Sequence, residues 1–181
     1  MVASSQKKGS VKIIGGTWKR KNIFFHESDN LRPTLNRVRE ILFNWLGQDL
    51  SNKVCLDLFS GSGILGFESL SRNAKSCQLV DNNVKAILNL NDNKNNLSAT
   101  NALIINSTAE NFLENNAQLF DIIFYDPPFS IADPNILLTK IKNHLKPNGI
   151  IYFETNKQYL GKEFKILKNS KAGKVYFCLL Q

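Results

Sequence analysis

Apolar positions along this chain keep two rhythms. From Lys53 onward, short apolar runs alternate with longer stretches in which apolar residues return every three or four positions. The runs "KVCLDLF" (53–59), "SCQLVD" (76–81), "ALIIN" (102–106), "FDIIFYD" (120–126) and "GIIYFET" (149–155) predict buried strands. The stretches "ILGFESLSRNA" (64–74), "NNVKAILNLNDNKNNLSA" (82–99), "AENFLENN" (109–116) and "PNILLTKIKNHL" (134–145) predict helices. Strand and helix in strict alternation predict an α/β fold, a doubly wound, Rossmann-like and mostly parallel sheet with helices on both faces. "EFKILKNS" (163–170) and "GKVYFCLL" (173–180) follow with no helix between them. The seven-stranded sheet is therefore expected to end in an antiparallel C-terminal edge pair.

Upstream the texture differs. "MVASSQKKGS" (1–10) has no apolar periodicity and reads as a disordered tail. "VKIIGGTWKRKNIFF" (11–25) has two β-rich runs around Gly15-Gly16 and predicts a small hairpin or arm. "LRPT" breaks the chain, and from Thr34 a helix is expected with Val38, Ile41, Leu42 and Trp45 on one face, Thr34 as its N-cap and Gly47 as its stop. At 181 residues the chain makes one domain, divided into an N-terminal arm and helix over 11–50 and a core over 51–181.

Composition narrows the class. A 43% hydrophobic content with no apolar run long enough for a membrane span fits a soluble globular protein, and the first ten residues lack the apolar region of a secretory signal, which suggests a cytoplasmic one. Cys55, Cys77 and Cys178 are odd in number and far apart, each in an apolar run, as expected of buried reduced thiols. With only His26 and His144 available, a histidine-rich metal site is excluded, and no metal is expected.

The net charge of +8 is unevenly spread. Residues 1–53 carry ten Lys and Arg against four acids, 54–139 carry four against nine, and 140–181 carry nine against two. Basic ends around an acidic middle suit a polyanionic partner gripped by the ends and a cationic or polar small ligand in the middle, although a generic solvated basic surface would look the same.

Three motifs fall where strands end. "DLFSGSG" (57–63) puts glycines at 61 and 63 between a strand and a helix, where backbone can approach a ligand closely. No lysine follows, so this is no phosphate-cradling P-loop, and Asp57 at the strand tip suits a cationic ligand better than a pyrophosphate. Asp81 ends the next strand, where an acid can hold both hydroxyls of a ribose or simply cap the following helix. The third is Asp126-Pro127-Pro128-Phe129, stiffer than a turn needs; a rigid strand exit is the plain alternative.

In order and spacing these motifs resemble the class I S-adenosylmethionine-dependent methyltransferases, in the branch that methylates exocyclic or amide nitrogens. With "IIGGTWKRKNI", "LRPTLNRVREILFNWL" and "CLDLFSGSGILGFESLSRNA", the resemblance narrows to the bacterial 16S rRNA guanine-N2 methyltransferase family and runs from about Val11 to the last strand. It implies S-adenosylmethionine as cofactor, held by Arg32, Thr34, Asp57, Phe59, Gly61, Gly63, Asp81, Asn82 and Asp126. Where relatives often place an acid against adenine, Ser107 and Thr108 stand here. It also implies catalysis by Asp126, Pro127, Pro128 and Phe129. Two prolines donate no backbone hydrogen bonds and hold φ near one value, so the Asp126 carboxylate and Pro127 carbonyl can form a fixed acceptor pair for an amine, with Phe129 stacked on the base.

An acid at position 126 favours guanine modestly, because a carboxylate only accepts and guanine's edge donates twice. Phosphate contacts are expected from Lys19, Arg20, Lys21, Arg37 and Arg39, with Lys171 and Lys174 as a second patch; Arg37 and Arg39 could equally be plain surface charges. The partner implied is 16S rRNA or an assembling small subunit, and the expected state a monomer. Rival readings are methylation of DNA adenine or protein glutamine, and an RNA-binding relative without catalysis.

Overall fold

A computed structural model describes residues 8–26, 34–129, 131 and 133–181. The doubly wound sheet is present. Five parallel strands, β3 (Val54–Asp57), β4 (Ser76–Asp81), β5 (Ala102–Asn106), β6 (Phe120–Tyr125) and β7 (Leu145–Thr155), are joined by α2 (Ile64–Ser71), α3 (Val84–Leu97), α4 (Ala109–Asn115) and α5 (Pro134–Lys142). β8 (Ile166–Ala172) and β9 (Val175–Leu180) complete it in the order β5-β4-β3-β6-β7-β9-β8, with β9 antiparallel to both of its neighbours. The chain runs outward from β3 to β5 and then returns to β6, so the order reverses between β3 and β6. Ligands of such sheets bind at the strand C-termini beside that reversal.

Alternation along the central strands explains the layers. On β6, Ile122 and Phe124 join the apolar layer of Leu42, Phe43, Phe67 and Leu79, whereas Ile123 and Tyr125 join Leu56, Phe153, Leu137 and Ile141 on the opposite face. Both faces are buried, hence the near-continuous apolar strands. Cys55, Cys77 and Cys178 are free and buried; burial pushes the thiols of Cys55 and Cys178 up to about 12, so they stay protonated.

Helix ends fall short of the sequence pattern by one to three residues, because caps decide them. Asn83 accepts from the Lys85 amide to open α3, and Asp133 accepts from the Asn135 amide to open α5. β7 begins at Leu145, inside the stretch expected to be helical, as its first residue pairs with Phe120 across an irregular register. The tail expectation for 1–10 also needs correction. β1 (Lys8–Lys12) already pairs with β2 (Asn22–His26) in an antiparallel hairpin, while residues 1–7 lie outside the described residues.

This arm is fastened to the core by backbone. Thr17 N–H donates to the Ser71 carbonyl at 2.7 Å, Trp18 N–H to Ser71 Oγ at 2.9 Å, and Asn93 brackets the Phe24 amide and carbonyl at 2.9 and 2.7 Å. Gly16 has φ +74°, and a Cβ there would collide with the Ser71 carbonyl; one at Gly15 would strike the Arg72 guanidinium. The Gly15-Gly16 pair is what lets the arm lie this close.

Beneath it sits an ion triad. Arg39 of α1 (Asn36–Leu46) and Arg72 both bond the Glu68 carboxylate, Arg39 at 2.5 Å, and Glu68 also accepts the Ile14 amide at 2.7 Å. Arg39 further donates to the carbonyls of Lys12 and Thr34. One buried carboxylate thus ties arm, α1 and α2 together.

Candidate functional site

Four parallel strands end on acids at the sheet's C-terminal edge. Asp57 ends β3, Asp81 ends β4, Asp126 directly follows β6 and Glu154 lies next to last on β7. Asp57 is buried, with Oδ2 accepting the Gly66 amide of α2 at 2.9 Å. Burial, offset by that amide and reinforced by Asp81, pushes its carboxyl up to about 7. It therefore anchors the start of α2 beneath the glycine loop.

The loop itself is built from its own groups. The Ser60 hydroxyl donates to the Asp57 carbonyl, the Ser60 amide to the Val80 carbonyl at 2.9 Å, and Gly61 and Gly63 take positive φ of 51° and 79°. The Gly61 amide donates to Asp81 Oδ2 at 2.8 Å, and the Asn83 amide to Oδ1 at 2.8 Å. Asp81 is half-exposed and does not cap α3, since Asn83 does; each of its oxygens accepts one of these amides and has capacity for a further donor. Asn82 is exposed beside it, Ser107 donates its amide to the Asp81 carbonyl, and Phe59 packs against the Tyr125 ring at 5.9 Å. Thr108 faces elsewhere: its hydroxyl caps α4 by accepting the Asn111 amide. The Ser107 hydroxyl is engaged locally, donating to the Thr108 carbonyl at 3.1 Å and accepting from the Asn111 amide group at 2.9 Å, so the glycine loop and the half-exposed Asp81 carboxylate are the groups left to meet a polar ligand here.

Asp126 is the other pole. The Thr34 hydroxyl donates to its Oδ2 at 3.3 Å, which corrects Thr34 as the cap of α1: the cap is Leu35 and makes no side-chain bond. Burial, then Glu154, then Asp57 raise the Asp126 carboxyl well above the carboxylate range, against the Thr34 bond. Pro127 is buried and Pro128 exposed; the Pro128 carbonyl accepts the Ile131 amide at 3.0 Å and locks the turn. Phe129 is 53% exposed, and with Pro127, Pro128, Glu154 and Tyr159 it lines a cavity of about 540 Å³.

Two acids that matter were not singled out from sequence. Glu154 is 7% exposed and accepts the Tyr152 hydroxyl at 2.6 Å; its signal was an apolar strand, "GIIYFET", ending on an acid just as the other three do. Glu68 lies on α2, which is buried all round.

The basic residues divide. Lys19, Arg20 and Lys21 are exposed in the turn between β1 and β2, Arg37 is exposed on α1, and Lys171 and Lys174 are exposed at the β8–β9 turn. Lys171 already donates to the Tyr176 hydroxyl at 2.8 Å. Arg39 is a correction: it is 0% exposed and its guanidinium is spent on Glu68, Asn36 and two carbonyls, so it cannot reach a phosphate. Arg32 lies outside the described residues.

Comparison with known proteins bears on the family and the fold. A family model described as "Conserved hypothetical protein 95" matches residues 11–181. Ribosomal RNA small subunit methyltransferase D of Haemophilus influenzae is 38% identical over 99% of this chain and 98% of its own length. Its namesake from Escherichia coli is 39% identical over 81% of this chain and 75% of its own. The solved structure of yhhF from Escherichia coli superposes with TM-score 0.85 at 34% identity, covering 96% of this chain and 98% of that one.

Proposed function

The chain belongs to the family of the ribosomal RNA small subunit methyltransferases D, and from that premise we propose that it methylates N2 of one guanine in 16S rRNA with S-adenosylmethionine as donor. The observation that carries this reading is the Asp126-Pro127-Pro128-Phe129 turn: a rigid acceptor on a half-buried carboxylate, one strand from the glycine loop and two from Asp81.

The donor's sulfonium supplies a methyl carbon open to in-line displacement. Asp81 would hold the ribose hydroxyls, the 59–63 loop would pass beneath the methionine end, and Ser107 would meet the adenine edge. The exocyclic amine of guanine is a poor nucleophile, its lone pair being delocalised into the ring. The Asp126 carboxylate and Pro127 carbonyl accept its two N–H groups and so turn the lone pair toward the methyl. Methylation leaves N2 with a proton to lose, and the Asp126 carboxylate or water would take it. Phe129 stacks on the base, which must already be looped out or be unstacked on binding. Positioning is the main contribution of the protein.

Lys19, Arg20, Lys21, Arg37, Lys171 and Lys174 would contact RNA phosphates, and the protein would act in the cytoplasm as a monomer. No described helix is long and apolar enough to cross a membrane. The test is transfer of labelled methyl to naked 16S rRNA, to assembled small subunits and to subunits from a strain lacking the modification. Label is expected in the unmodified rRNA or subunits, at guanine N2. Label in DNA or protein and in none of these would overturn the reading.

A further inference from the structure

The two acids at the tips of β6 and β7 stand side by side, and little among the described residues offsets them. Tyr125 pairs with Phe153 across the parallel ladder, so Asp126 and Glu154 follow in step on neighbouring strands. Among the described residues, Thr34 alone donates a side-chain hydrogen bond to Asp126, and Tyr152 alone to Glu154. No described cation forms a salt bridge with either. Two carboxylates so placed, Glu154 buried and Asp126 half-buried, repel each other, and each has a single side-chain donor among the described residues where burial calls for more. A fold core does not gain from that arrangement; a site awaiting adjacent N–H donors does.

We propose that Glu154 is a second substrate acceptor, taking the N1–H of the target guanine while Asp126 and Pro127 take N2. This rests on the guanine-N2 reading above. Guanine presents N1–H and N2–H as neighbouring donors, matched by two carboxylates on strands roughly 4.8 Å apart. Adenine presents an acceptor at N1, whose nitrogen lone pair would face a lone pair of the Glu154 carboxylate. Glu154 thereby sets the choice of base, a role that Asp126 alone fills only modestly.

The test uses small subunits reconstituted with RNA carrying 2-aminopurine at the methylated guanine. This analogue keeps the 2-amino group but has an acceptor at N1. Wild-type protein is expected to prefer guanine by on the order of 10²-fold or more, as sites built around a hydrogen bond reject analogues lacking the donor. In Glu154→Gln, whose amide can donate to N1, that preference should shrink at least about tenfold while calorimetric cofactor affinity stays within about twofold. Equal wild-type rates on the two bases would overturn the assignment, and this arm does not depend on the variant folding. So would an unchanged preference in Glu154→Gln, or a loss of cofactor affinity in its place. Absence of methyl transfer even to guanine-containing subunits would instead defeat the underlying reading.

Discussion

The molecule buries charge in two places and treats it in opposite ways. Under the arm, Glu68 is surrounded by Arg39, Arg72 and the Ile14 amide, all at 0–2% exposure for the charged side chains. At the strand tips, Asp126 lies beside Glu154 and Asp57, and among the described residues only two hydroxyls and one amide donate to the three. Burial chiefly, and Arg72 beside it, pull the Arg39 guanidinium below its ordinary value, while Glu68 works against both. Among the acids burial and repulsion push the same way. Opposite charges complete each other and hold elements together; like charges leave a deficit of donors that a ligand can fill.

Removing charge should therefore have opposite consequences in the two places. Glu68→Ala leaves two buried guanidinium groups unpaired and is expected to cost about 3–5 kcal/mol, a large part of a typical domain's stability. Urea unfolding would show it, and a midpoint like wild type would mean the triad is not holding the arm. Asp126→Ala is expected to keep cofactor affinity by calorimetry and to melt no lower than wild type, yet to lose roughly 10²–10⁴-fold in methyl transfer. Near-normal turnover would remove Asp126 from the chemistry.

That asymmetry explains what could be read from sequence. The strands and their alternation were legible because each is apolar enough to be buried on both faces, and Asp57, Asp81 and Asp126 were legible because acids interrupt those runs. Glu154 has the same signature but no glycine or proline beside it to draw notice. Arg39 was misread because spacing on a helix does not say that a neighbouring element covers its polar side; the arm, drawn close by Gly15 and Gly16, does so. Thr34 looked like a helix cap since threonine before a helix usually is one, while its partner lies 92 residues away.

A third expectation concerns pH. The Asp126 carboxyl titrates above the usual carboxylate range, chiefly from burial and next from Glu154. As an acceptor it works best ionised, so turnover should fall on acidification at a pH above that of an ordinary aspartate. Glu154→Gln removes the repulsion and should move this acid limb lower; a limb that stays put would mean the two carboxyls do not sense each other. Stability runs the other way. The folded state holds the Asp57 proton up to about pH 7, whereas the unfolded chain releases it near ~4. Its contribution is complete below ~4 and lost as pH rises through about 7. Thermal melts of Asp57→Asn should lose that dependence.

The smallest effect separates two arginines two residues apart on one helix. Arg37 is exposed and Arg39 is at 0%. A guanidinium in solvent can exchange counterions with a phosphate, and each such contact adds about one to the slope of log affinity against log salt. Arg37→Ala should then leave the melting temperature unchanged, weaken RNA binding modestly and flatten the salt slope by about one. Arg39→Ala should lower the melting temperature, and among molecules still folded it should leave the salt slope as it was, because its charge is already answered by Glu68. If the two variants instead flatten the slope alike, α1 presents both arginines to RNA and the buried triad opens on binding.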